Sequence, residues 1–318
     1  MYIEQAFKGL HDWWRYMVGI VIIFTAWQLI GMIPLGLALG IKAFETGDMP
    51  GTIPQMIEVL GSNLFLFLML LSFVGGLAGV ILSAKILHNL SFLQLTTSRK
   101  KIDWKRFWFV FILWGVVSSG FVLVDYFFFT PEDYVLNFNL KPFLILAAIA
   151  ILLIPLQTSF EEYFFRGYLM QGIGMIFKNK WAPLLITSIG FGLMHIANPE
   201  VEQLGPIIMV YYIGTGLFLG ILTLMDDGLE LSLGFHAANN LFTALLVTAD
   251  WTAFQTDSIL KDMSDPKTMV IGEIIFPVFV VFPIILLILS KKYNWSDWKT
   301  KLFGKIEEPP KDNYKIIE

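Results

Sequence analysis

Runs of about twenty apolar residues, broken by short polar connections, recur along the whole chain, and each is long enough to cross the hydrocarbon core of a bilayer as a helix. They predict helices near residues 17–41, 63–84, 107–124, 142–160, 181–197, 204–225, 231–249 and 268–290. Eight crossings put both chain ends on one side. Pro34, Pro155, Pro277 and Pro283 fall inside these runs, where neighbouring helices can take up the freed carbonyls, so they predict kinks and not boundaries. The uncharged run from Met17 to Ile41 is followed by no small-residue cleavage pattern, which predicts a retained first helix. No internal repeat is visible. The pattern divides the chain into three N-terminal helices (1–141), a four-helix core (142–249), a loop with the last helix (250–290) and a tail (291–318). Trp295, Trp298, Leu302 and Phe303 among lysines predict an interfacial helix in the tail, with disorder expected over the EEPPKDN stretch.

Composition agrees with an all-α, polytopic integral membrane protein. Apolar residues make up 56% of the 318 and charged residues 15%, with a mean hydropathy of +0.68; a soluble domain carries about 25% charged residues. Eighteen of the 22 basic residues lie in the ends and in every second connection, while Lys42, Lys141, Lys261 and Lys267 lie in the alternate ones. By the positive-inside rule this predicts a cell-membrane protein with both termini cytoplasmic. The connection Asp226 to Glu230 is the weak point, since it has no basic residue. No basic patch points to nucleic acid, so the partner read from composition is the lipid bilayer. The absence of cysteine removes disulfides, thiolate nucleophiles and Cys-ligated metal sites. Chemistry must come from His, Glu, Asp, Asn, Ser and Arg.

One stretch breaks the avoidance of charge: SFEEYFFRGYLM, residues 159–170. A charge at the bilayer centre costs about 2.5–3.5 kcal/mol on insertion scales, so this cluster must be paired, interfacial or wet. Glu162 and Arg166 are i and i+4 and can pair on one helical face, whereas Glu161 is turned away, sharing its face with Phe165 and Tyr168. Of the four histidines, His11 and His88 are expected at interfaces. His195, one turn after Phe191, and His236, one turn before Asn240, fall in predicted membrane helices. A turn near Asn179 would bring Glu161 and His195 to similar depth. His236 lies about 9 Å along a helix from Glu230, which predicts a site in the cytoplasmic half of the bilayer.

Two chemistries suit a carboxylate, two imidazoles and an amide. In one, Glu161, His195 and His236 hold a divalent metal such as zinc, whose bound water becomes the nucleophile. In the other, no metal is needed: Glu161 and His195 deprotonate water while His236 and Asn240 stabilise the oxyanion. The ordered set EExxxR (Glu161, Glu162, Arg166), FxxxH (Phe191, His195) and HxxxN (His236, Asn240) resembles the CPBP family, also called the Abi or CAAX-protease-like family, over about residues 142 to 249. That family includes type II CAAX prenyl endopeptidases and bacterial proteins tied to bacteriocin processing and self-immunity. The resemblance implies an eight-helix intramembrane endopeptidase acting on a membrane-associated peptide or protein. It implies Glu161 and His195 as the water-activating pair, His236 and Asn240 assisting, and Glu162, Arg166 and Phe191 as orienting groups. The alternative is a non-enzymatic immunity or scaffold protein of the same fold; a proton-coupled transporter fits less well, because no repeat is present.

Overall fold

The computed structural model describes residues 1–308, so most of the EEPPKDN stretch lies outside the described residues. Eight helices build the body: α1 (Trp13–Thr46), α2 (Ser62–His88), α3 (Trp104–Phe129), α4 (Leu140–Phe177), α5 (Trp181–Leu193), α6 (Ile208–Asp226), α7 (Glu230–Leu246) and α8 (Ile271–Tyr293). Six are long and apolar enough to cross a membrane, making this a multi-pass membrane protein. The other two, α5 with 13 residues and α7 with 17, are shorter than the spans expected from hydropathy. The first stops at the turn that carries His195, and the second runs directly into the extended pair Val247–Thr248.

The turn expected near Asn179 is present, between the end of α4 at Phe177 and the start of α5 at Trp181, but the apolar run understates α4. The apolar run suggested an end at residue 160, but the helix continues through the charged cluster to Phe177. Residues Tyr163–Leu169 form a π-helical stretch within it. The i→i+5 bonding of a π turn changes the phase of the following residues. Phe165 therefore shares a cavity with Glu161, while Tyr168 points instead to the N-terminal helices, where its hydroxyl lies 2.8 Å from His88 Nε2. His88 itself is fully buried and not interfacial. Its Nδ1–H donates to Leu10 O at 2.7 Å, so its Nε2 accepts from Tyr168.

Helices pack closely where side chains are small, as membrane helices must when lipid supplies no hydrophobic contrast. A Cβ on Gly216 of α6 would lie 2.7 Å from Ser188 O of α5, and one on Gly234 of α7 would collide with Phe107 O of α3. The two poles of the bundle differ in construction. At one, ion pairs join the ends and connections: Arg99 bridges Asp226 at 3.0 Å and Glu230 at 3.1 Å, Arg106 also pairs with Asp226, and Lys301 pairs with Asp227. The acid-only connection 226–230 is thus neutralised through space by the basic connection before α3. Residues Ile3–Lys8 and Trp298–Phe303 cap this pole, and Leu302 and Ile306 bury against Ile3 and Met170. The tail helix covers protein with Leu302 and Trp298, while Phe303 stays exposed.

A small sheet, unforeseen from the sequence, organises the other pole. Its strands β1 (Tyr134–Leu136), β2 (Val247–Thr248) and β3 (Leu260–Asp262) run in the order β1-β3-β2, antiparallel then parallel. Asn63 Nδ2 donates to Asp257 at 2.7 Å, and Glu200 accepts from the Ala253 amide at 2.9 Å, tying the loop before β3 to α2 and to the short helix Pro199–Leu204.

Candidate active site

Gln157 and Glu161, with the apolar Phe164 and Phe165, face one cavity across the start of the π turn. Gln157 and Glu161 are i and i+4. Gln157 Nε2 donates to Glu161 Oε1 at 2.6 Å, and Glu161 Oε2 lies 3.5 Å from His236 Nε2. That second oxygen is buried, has no hydrogen-bond partner within the protein, and belongs to the wall of a cavity.

Glu162, the next residue, meets the other ring nitrogen of the same imidazole and is fully buried. Its Oε1 accepts from Arg166 Nη1 at 3.0 Å and from His236 Nδ1 at 2.8 Å. Arg166 is also fully buried, donates from Nη2 to Gly216 O at 2.9 Å, and lays its guanidinium 4.4 Å above the Phe191 ring. One carboxylate thus fixes the tautomer of His236: Nδ1 carries the proton that Glu162 accepts, and Nε2 is directed at Glu161.

His195 is held differently. It lies in the turn after α5, not within a membrane helix, and its Nδ1–H donates to Phe191 O at 2.8 Å. Its Nε2 lone pair is therefore free for chemistry. Tyr212 stacks on the imidazole at 4.4 Å with an interplanar angle of 19°. Phe191 touches both histidines, with ring centroids 4.9 Å from His195 and 5.8 Å from His236.

Asn240 reaches the same face through Gln157, donating from Nδ2 to Gln157 Oε1 at 3.1 Å. Behind it, Asn239 Nδ2 donates to Asn240 Oδ1 at 3.1 Å, and Trp114 Nε1 of α3 donates to Asn239 Oδ1 at 3.1 Å. The direction of this chain is set at both ends. An indole nitrogen only donates and an ionised carboxylate only accepts, so each intervening amide can take one orientation. Asn239 stands beside Asn240 in the run HAANN, one turn after His236, whereas Gln157, Trp114 and Tyr212 did not emerge from the sequence as site residues. Of these three, Gln157 alone left a trace there, as a polar residue one turn before Glu161 in an apolar run.

The cavity has a volume of about 400 Å³ and mostly apolar walls, with Glu161, His195 and Asn240 among its polar groups. Glu200 lines it too, with Oε1 engaged by the Ala253 amide and Oε2 buried without a partner. Burial raises the Glu200 carboxyl above its ordinary range, against the opposing pull of that amide and of His195. The loop residues Trp251, Ala253 and Phe254, with Asp262 of β3, complete the wall at the sheet pole. The sequence reading placed the site toward the pole that holds the chain ends. His236 lies within two turns of Glu230 at that pole, and the cavity extends from the site toward the opposite pole, where Val247, Thr248, Trp251 and Asp262 line it.

The metal-binding arrangement weighed from the sequence needs Glu161, His195 and His236 around one point. Glu161 and His236 are paired, but among the described residues no three His, Asp or Glu side chains gather closely enough to hold an ion. The donor set does not fit a three-ligand metal site in this arrangement, so no step below passes through one.

Comparison with known proteins gives an independent view. The family model described as Type II CAAX prenyl endopeptidase Rce1-like matches residues 140–242, a stretch that contains all three motifs. The uncharacterised protein YyaK of Bacillus subtilis (strain 168) is 30% identical over 248 residues, which cover 76% of this chain and 80% of the relative. No solved structure matches.

Proposed function

The chain belongs to the Rce1-like family, a protease family, and on that premise we propose that it is an intramembrane endopeptidase that hydrolyses a peptide bond of a membrane-associated peptide or protein at Glu161. The observation that carries the reading is the state of the Glu161 carboxylate. One oxygen is held by Gln157 at 2.6 Å, and the other is buried, unpartnered and on the cavity wall, 3.5 Å from His236.

A carboxylate held on one side and free on the other can take a proton from water without first reorganising, which is where much of the gain from a positioned base lies. His195, with Nδ1 engaged by Phe191 O, offers Nε2 as the second acceptor for that water. Attack on the carbonyl carbon breaks its π bond and moves the electron pair onto oxygen. Asn240 has one amide hydrogen beyond the one given to Gln157 and can donate it to this oxyanion, and His236, held by Glu162 at Nδ1, can add a second bond once its Nε2 has taken a proton from the neighbouring Glu161. The proton taken by Glu161 is then delivered to the departing amine as the C–N bond breaks. Glu162 and Arg166 touch no reacting atom in this scheme and act as positioning residues.

The expected location is the cell membrane, with both termini cytoplasmic, from the bias of basic residues toward the chain-end pole. Cleavage of a peptide substrate by purified protein tests the assignment. Glu161→Gln and His195→Ala are each expected to abolish turnover while the protein elutes and melts as the parent does. Wild-type turnover in Glu161→Gln would sink the reading. Cleavage is also expected to survive dialysis against a chelator, and its loss, restored by added zinc, would overturn the metal-free scheme.

A further inference from the structure

We propose that the cavity is entered from the pole opposite the chain ends, on the face of the membrane away from the cytoplasm, and that it takes an apolar peptide segment whose basic side chain pairs with Glu200. This rests on the endopeptidase reading for the role of the bound peptide, though not for the side of entry.

Three observations carry it. Toward the chain-end pole the site is closed by a packed layer: Tyr16, His88, Leu95, Tyr163 and Tyr168 are each no more than 4% exposed. Toward the sheet pole the wall consists of loop residues such as Trp251 and Ala253, which are only half-buried. The route with fewest packed side chains to displace therefore leads to the sheet pole.

The poles also differ in charge. Of the 20 basic residues among the described ones, fifteen belong to the chain-end pole and its connections, a bias that in short connections sets which face stays in the cytoplasm. The sheet pole then faces outward. Its connections carry thirteen of the 26 acidic residues against four basic ones. An acidic mouth above a low-dielectric cavity concentrates cationic segments and repels anionic ones.

Glu200 gives that preference a point of contact. Its Oε2 is buried and unpartnered in the cavity wall, and the Ala253 amide holds its Oε1. A buried carboxylate oxygen without a partner is costly, and a lysine or arginine delivered by the substrate would satisfy it with a charge-assisted hydrogen bond. The rest of the wall is apolar and suits the residues on either side of that basic one.

The absence of cysteine in the chain makes the side of entry directly measurable. Met263, exposed beside β3, Ala253 in the cavity wall and Ser296 in the tail are each replaced by cysteine, one at a time. Intact cells are then treated with a membrane-impermeant maleimide. Labelling of Met263→Cys and Ala253→Cys is expected, with Ser296→Cys labelled only after permeabilisation. The reverse pattern, or protection of Ala253→Cys while Met263→Cys reacts, would overturn the proposed entry. Substrate class is tested by binding, which needs no turnover, using a fluorescent apolar peptide with one lysine and its norleucine analogue. Glu200→Gln is expected to weaken the lysine peptide about tenfold and leave the analogue unchanged, the analogue serving as a check on folding. Equal effects on both peptides would refute the pairing. If instead Glu161→Gln cleaves as the parent does, the endopeptidase reading fails while the labelling and binding results still stand on their own.

Discussion

Replacing Gln157 by Leu probes the site without touching Glu161, His195 or His236. The Gln157 side chain is 3% exposed, and its amide joins two groups, accepting from Asn240 at 3.1 Å and donating to Glu161 at 2.6 Å. Leu keeps the volume and removes both bonds. A hydrogen bond to a charged group contributes about 1.5–3 kcal/mol, and leaving the Asn240 amide unpaired costs about a further 1 kcal/mol. Apolar burial of the leucine offsets part of the loss, so a net destabilisation of roughly 1–3 kcal/mol is expected, read as a lower melting temperature in detergent. The effect on chemistry is separate. With Oε1 released, the carboxylate can rotate and the water loses its fixed acceptor. If the full hydrogen-bond energy to Glu161 is lost from the transition state, kcat falls about ten- to a hundred-fold with KM little changed. Trp114→Phe should lower kcat less, since it frees only the far end of the relay, and the double substitution should be no worse than Gln157→Leu alone. Multiplicative effects would mean that Trp114 and Gln157 act independently, and an unchanged kcat in Gln157→Leu would refute the relay altogether.

Arg166→Lys should not rescue the brace, because one ammonium cannot donate to both Glu162 and Gly216 O across the guanidinium span; a loss of about 1–3 kcal/mol in unfolding experiments is expected. Gly216→Ala places a methyl group 2.7 Å from Ser188 O, so α5 and α6 must separate, with a similar fall of about 1–3 kcal/mol in thermal stability and a displaced His195. Affinity for the lysine peptide should fall as pH drops, because protonation removes the Glu200 charge, and the fall should begin above the ordinary carboxylate range, since burial raises this group. His195 and Tyr212 also face Glu200, so the profile of Glu200→Gln is the control, and a profile identical to the parent's would remove Glu200 from the binding step.

Hydropathy located the helices because burial in lipid demands long apolar runs: each of the eight runs has its helix in the structure, and six of these are long and apolar enough to cross a membrane. It misjudged the ends where polar groups bury against protein. The continuation of α4 through Glu161, Glu162 and Arg166 is stable because Arg166 finds Glu162, Gly216 O and the Phe191 ring, none of which registers in a local average. The pairing of Glu162 with Arg166 was accessible from i, i+4 spacing alone. The link from Trp114 to Glu161 was not, since it depends on how α3 docks against α7, a contact between residues 125 positions apart. The direction of the cavity was likewise hidden. Its far end is lined by residues of the loop and strands between 247 and 262, whose pairing leaves no mark in an apolar run.

The brevity of α5 bears on the surrounding lipid. Thirteen residues rise only about 20 Å, against a hydrocarbon core of about 30 Å. Its exposed residues, among them Leu185, Ile189 and Leu193, still have to meet acyl chains. The bilayer beside this helix must compress or the bundle must tilt, at a cost of a fraction of a kcal/mol for each ångström of mismatch. Acyl-chain length thereby becomes a variable of the enzyme: a thinner bilayer relieves the compression beside the helix that carries His195, and a thicker one increases it.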